Sequence, residues 1–248
     1  MATKTRNAVN GNGNGHEYPQ DPNVNAVAER LGKGESQLLA ITPPRLQNVT
    51  LTIRGTVPLV MNRFGQKSIN MIMETQQGGS VSKKGKKREP KDFNKCYEDA
   101  KHVSTDGWIG IPAPAFRNAS VAACRLCGFK MTHAKLGIFV VANGVDVVDG
   151  TPLVKITKGE PRQITHPVRN SSGVVDIRAR PMWDAGWEAE VTVRYDADMF
   201  TANDVVNLLS RVGSQVGLLE GRPDSKASCG VGWGLFDIVP DNISIDAA

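Results

Sequence analysis

Between Trp187 and Tyr195 every second residue is apolar. Trp187, Ala189, Val191, Val193 and Tyr195 alternate with Glu188, Glu190, Thr192 and Arg194. Successive side chains on a strand point to opposite faces, so the pattern specifies a strand with one buried and one wet side. The buried side needs a covering layer, and the next segment supplies one. Thr201 is a good N-cap with Asp204 three residues on, and Val205, Leu208, Leu209, Val212 and Val216 recur at helical spacing. A sheet covered by helices is the simplest architecture that buries both stripes.

An earlier part of the chain repeats this pairing. Val49, Leu51 and Ile53 alternate with Thr50, Thr52 and Arg54, and Gly55 and Pro58 close the strand. Pro114 suits the first turn of a helix, where its missing N–H would be unpaired anyway. Phe116, Ala119, Ala123 and Leu126 follow at helical spacing, with Gly128 as the stop. Ile138 to Val141, Val145 to Val148 and Leu153 to Ile156 are short β-branched runs, and Leu235 to Val239 reads as a final buried strand. The order predicts an α+β fold, a ferredoxin-like (RRM-like) β-α-β-β-α-β sheet.

Two segments interrupt that order. Residues 66–106 read as a lysine-rich insertion, a surface loop flanked by helical pieces. Residues 162–180 read as a protruding β-hairpin, with Ile164 to Val168 and Val174 to Ile177 flanking the turn Asn170-Ser171-Ser172-Gly173. Asn10 to Gly15 is an Asn-Gly repeat that can bury nothing. The expected organisation is therefore a largely disordered tail over 1–47, one domain over 48–240 and a C-terminal tail over 241–248.

Composition narrows the function. The chain has 248 residues, 40% hydrophobic and 22% charged, as a folded globular protein requires. Its formal charge is +5, and five positive charges fall in one run, Lys83, Lys84, Lys86, Lys87 and Arg88, so the basicity is local. No apolar run reaches the ~20 residues of a membrane span. The first residues lack the apolar core of a signal peptide, and four cysteines make no disulfide scaffold. A cytoplasmic location with no membrane partner is expected.

Three segments carry a resemblance. They are "RGTVPLVMNRF" (Arg54 to Phe64), "GLLEGRPDSKASCGVGWGLFDIV" (Gly217 to Val239) and the hairpin from Arg162 to Arg180. With them the chain resembles the RAMP superfamily, ferredoxin-like RNA-binding proteins that include the backbone subunits of CRISPR effector complexes. The glycine spacing of the second segment departs from the tight G-x-G pattern common there. "PLVMNRF" and "PAFRNASVAACR" also resemble small bacteriophage proteins, a resemblance that implies a bacterial host cell. The resemblance implies RNA binding, a thumb-like role for the hairpin, and assembly in several copies along one strand as a homo-oligomer or ribonucleoprotein subunit.

The residues themselves leave two readings of each basic feature. Clustered Lys and Arg neutralise phosphates and release counterions, but a solvated loop has the same composition. Arg63, Lys67, Arg117 and Arg125 could add to such a surface. On the hairpin, Arg178 and Arg180 project to one face, with Arg162 and Arg169 on the other arm. These arginines serve a phosphate backbone or pair with Asp176 and Asp184. The glycine segment brings Gly221 and Arg222, suited to close backbone approach by a phosphate or to an ordinary connection. Trp183 and Trp233 are the tryptophans placed to stack on bases, whereas Trp187 belongs to the core.

No enzyme emerges. Neither G-x-x-x-x-G-K-[ST] nor G-x-G-x-x-G after a strand is present, and no serine sits in a G-x-S-x-G elbow. Cys124 and Cys127 have C-x-x-C spacing, but a zinc site would need two ligands from Cys96, His102 or His133, and a small core role fits the helix better. No cofactor or metal is expected. A metal-free ribonuclease would rest on His166 alone. The expected function is non-catalytic binding of single-stranded RNA or DNA, with RNA favoured by the resemblance. The alternative is a phage-encoded scaffold or inhibitor of a host complex with no nucleic-acid ligand.

Overall fold

The structure is a computed structural model that describes residues 42–64, 66–77, 90–169, 175–224 and 231–247. Pro44–Ala248 forms one compact unit. Its elements are β1 (Leu46–Gly55), β2 (Leu59–Val60), α1 (Gln66–Gln77), α2 (Phe93–Asp99), β3 (Gly110–Pro112), α3 (Ala113–Cys127) and α4 (Met131–Gly137). They continue as β4 (Ile138–Val141), β5 (Gly144–Val145), β6 (Pro152–Lys158), β7 (Arg162–Arg169), β8 (Val175–Trp183), β9 (Glu188–Asp196), α5 (Ala202–Arg211) and β10 (Phe236–Ala247). The fold is α+β, and every strand pair is antiparallel.

The main sheet runs β10-β1-β9-β6-β3. β4 shares the edge of β9 with β6, and β5 pairs with β6. β9 is the strand expected from its alternation. Trp187, Ala189, Val191, Val193 and Tyr195 are buried, as are Val49, Leu51 and Ile53 beside them on β1. Against this face pack Phe116, Ala119, Ala123 and Cys124 of α3, and Val205, Leu208 and Leu209 of α5. The helix boundaries follow local chemistry. α3 begins with a proline in its first turn and ends at Gly128 in the left-handed conformation. α5 begins with a capping box in which Thr201 and Asp204 satisfy each other's backbone N–H groups. Its last apolar residues, Val212 and Val216, fall in a π-helical turn (Val212–Val216).

The structure changes four expected boundaries. β10 runs to Ala247, so residues 241–247 are strand instead of tail. Ile243 to Ala247 pair with Gln47 to Leu51 of β1, which itself begins at Leu46, three residues before Val49. The sequence hid this because Asn242, Ser244 and Asp246 are polar and Pro240 interrupts the run. The register shifts there, between Leu51 and Ile53 of β1. Of the run from Val145 to Val148 only Val145 lies in a strand, the short β5, before the chain turns at Asp146. The hairpin is present as β7 and β8, with β2 extending it to three strands. β8 continues to Trp183, beyond the expected end at 180.

Candidate nucleic-acid interface

The hairpin places its functional side chains by strand alternation. In the β7–β8 register His166 stands opposite Arg178 and Ile164 opposite Arg180. Side chains of directly opposed residues share a face. His166, Arg178 and Arg180 are therefore presented together, and one residue from the glycine segment meets all three. Arg180 Nε donates to Glu220 Oε2 at 3.0 Å. Glu220 Oε1 lies 3.4 Å from His166 Nε2 and 3.9 Å from Arg178 Nη1. Arg180 and Glu220 are largely buried, their side chains 13% and 14% exposed, whereas Arg178 is more open. With Asp176 beside Arg178 and Lys91 beside Asp176, Arg178, Arg180 and Lys91 outnumber the two carboxylates of Glu220 and Asp176 by one charge.

Backbone contacts hold Glu220 in place. Its N–H donates to the Val60 carbonyl at 3.1 Å, which docks the glycine segment on β2. Leu219 before it adopts a left-handed φ of 61°, uncommon for a branched residue. Gly221 is buried at φ +76°, and a Cβ there would stand 2.5 Å from the Trp233 ring. Trp233 in turn meets the edge of His166, with ring centroids 5.3 Å apart. Arg222 donates to the Leu219 carbonyl at 3.0 Å, closing the same turn. The hairpin and the glycine segment thus form one site.

The outer hairpin cations are also matched. Arg162 grips Asp184 with both Nε and Nη2, at 2.9–3.1 Å. That hydrogen bond holds the Asp184 carboxyl below the usual range and raises Arg162. Arg178 Nε lies 3.7 Å from Asp176. Asp176 accepts from Lys91 Nζ at 2.8 Å, the main reason its carboxyl also lies low. The pairing of these arginines with Asp176 and Asp184 is therefore realised, with Glu220 as a third acid. Glu220 was missed because it lies 40 residues beyond Arg180, in a segment read for its glycines, Arg222 and Trp233. Lys91 follows Arg88 by three residues in sequence, and it anchors the start of α2 on β8.

Other expected contacts take different roles. Trp183 closes β8 and is only 1% exposed, so it packs in the core and cannot stack on a base. Arg63 is not a surface cation. It is buried beside Asp146, 3.5 Å away, and Asp149, 3.9 Å away. Arg125 donates to Asp224 at 2.7 Å. Lys83, Lys84, Lys86, Lys87 and Arg88, and the side chains of Lys67 and Arg169, lie outside the described residues.

The sequence also did not show the setting of Arg63. His102 Nδ1 and Asp146 Oδ2 are 2.8 Å apart and both residues are buried. His102, Asp146 and Asp149 bring ligand atoms within 4.8 Å of one another. The Arg63 guanidinium lies beside the same Asp146 oxygen, so a divalent cation would face a buried positive charge there. The arrangement fits an ion network joining the segment after β2 to the turn after β5 better than a metal site. Among the described residues no cluster joins Cys124 and Cys127 to a histidine. Cys124 donates to the Ser120 carbonyl inside α3, and burial pushes its thiol up.

No protein-family model matches the chain, and no curated protein matches it. Among solved structures it is similar to a chain in the "Cryo-EM structure of the Type III-B Cmr-beta bound to cognate target RNA". The identity is 11% and the TM-score 0.48, over 91% of this chain and 65% of that chain.

Proposed function

We propose that this protein binds single-stranded nucleic acid, RNA in preference to DNA, without catalysing a reaction on it. The observation that carries the reading is the union of the hairpin face with the glycine segment around Glu220. It gathers Arg178, Arg180, His166, Gly221 and Trp233 in one positively charged site. Lys91, which donates to Asp176 on the same hairpin, supplies the cation in excess over the two carboxylates. The strand order β10-β1-β9-β4, with α3 and α5 on one face, supports the split β-α-β reading. Interactions of this kind go to phosphates, so recognition is weakly dependent on sequence. Assembly in copies along the strand, as a ribonucleoprotein subunit, belongs to the same proposal.

The test is anisotropy of labelled single-stranded RNA and DNA over a salt series. Binding should weaken steeply with salt. Replacing Lys83, Lys84, Lys86, Lys87 and Arg88 with Ser should lower the slope of log K against log salt by up to about 3.5, at about 0.7 for each phosphate no longer neutralised. Absence of binding to either strand at low salt overturns the proposal and favours a protein ligand.

A further inference from the structure

Arg162, Arg178 and Arg180 of the hairpin are matched by acids, whereas Arg194 on the sheet and Arg117 on α3 have no acid partner among the described residues. Arg194 is exposed on β9, directly across from Phe139 of β4. Arg117 reaches the same ring from α3. Their guanidinium carbons lie 5.9 and 5.7 Å from the Phe139 centroid. Arg117 is held there by donating to the Lys135 carbonyl, and its Nε is buried without a partner. Neither arginine pairs with a carboxylate among the described residues. Phe139 remains 37% exposed.

The neighbouring positions have matching chemistry. Asn48 of β1 stands on the other side of Arg194, and its Oδ1 is buried without a partner. In the next row Thr50 and Thr192 meet hydroxyl to hydroxyl at 2.9 Å, with Val141 beside Thr192. All of these residues lie on the face turned away from α3 and α5, because Val49, Leu51, Val191 and Val193 occupy the buried face. The nearest acids on that face are Asp246 across Asn48, and Asp196 and Glu190, which flank Arg194 along β9. They keep an anion toward the β4 side.

An exposed ring, two guanidiniums without acids and an unsatisfied amide suit a ligand that is planar, anionic and able to hydrogen-bond. A nucleotide within a strand has all three properties. Bases stack on aromatic rings and on guanidinium planes, and the phosphates attract the cations. We infer that Phe139, Arg194 and Arg117 form a nucleotide platform for single-stranded nucleic acid, separate from the hairpin, with Asn48 beside the base edge. This rests on the nucleic-acid reading above and adds a second binding surface to it.

The test uses the full chain, a labelled oligouridylate containing thiouridine, and the variants Phe139→Ala and Arg194→Ser. Arg194 is exposed, so its variant should melt near wild type, whereas Phe139→Ala, at a ring 37% exposed, should melt lower but as one cooperative transition, so binding is read well below both midpoints. Phe139→Ala should weaken binding about tenfold or more, as removal of one base stack does. Arg194→Ser should weaken it and lower the salt slope by about 0.7. Photo-crosslinks should map to β4 or β9. Wild-type affinity in both variants, with binding still abolished when Lys83 to Arg88 are neutralised, overturns the platform and leaves the nucleic-acid reading standing. No binding by wild type overturns both.

Discussion

Glu220 is the residue on which the candidate site depends. It is the shared acceptor for Arg180 and the near neighbour of Arg178 and His166, in a setting with little water. Glu220→Gln leaves Arg180 largely buried without its counter-charge. The expected cost is about 3 kcal/mol, read as a fall in the denaturation midpoint. The same change leaves Arg180 without an acid and Arg178 with Asp176 alone, so nucleic-acid affinity at low salt should rise in the variant that remains folded. A fall in affinity with stability unchanged would show that Glu220 does not hold these cations. Gly55 makes a second prediction at this scale. A Cβ there would stand 1.9 Å from Trp187 Nε1, and that indole is locked by a 3.0 Å bond to the Val57 carbonyl. Gly55→Ala should cost about 3 kcal/mol or more, since neither the strand nor the buried ring can yield.

At the scale of elements, the helix starts and the acidic groups set stability. Thr201→Ala removes one half of the α5 capping box and should cost about 1 kcal/mol by thermal denaturation. The hydrogen bonds from Thr201 hold the Asp204 carboxyl below its ordinary value. Asp184, held by Arg162, and Glu188, held by Lys158 and then Arg54, are lowered in the same direction. A carboxyl whose folded pKa lies below its unfolded one stabilises the fold above the unfolded value. That contribution disappears as pH falls through the folded one. The melting temperature should therefore be flat near neutrality and drop below about pH 4, where unfolded Asp and Glu protonate. Asp204→Asn should flatten part of that drop. An unchanged acid limb in this variant would remove Asp204 from the account.

For the whole molecule, β9 and β1, and helices α3 and α5, were legible from chain neighbours. Alternation, a cap, a first-turn proline and a stop glycine are local properties, and the core simply joins their apolar stripes. The hairpin was legible for the same reason. What escaped was every feature that depends on register between distant segments. The polar residues of 241–247 form strand only because β1 offers its edge to pair with. Trp183 resembles a loop tryptophan until β2 and β8 carry it into the core. Arg63 reads as a surface cation until the turn after β5 brings Asp146 against it. The hairpin arginines and Phe139 show the same division most plainly. Their spacing placed the arginines on a common strand face, which depends on backbone period alone. Which arginines are neutralised, and which gather at an exposed ring, depends on where folding delivers Glu220, Arg117 and Arg194. A charge acts over a few ångströms of space regardless of how many residues of chain lie between the partners.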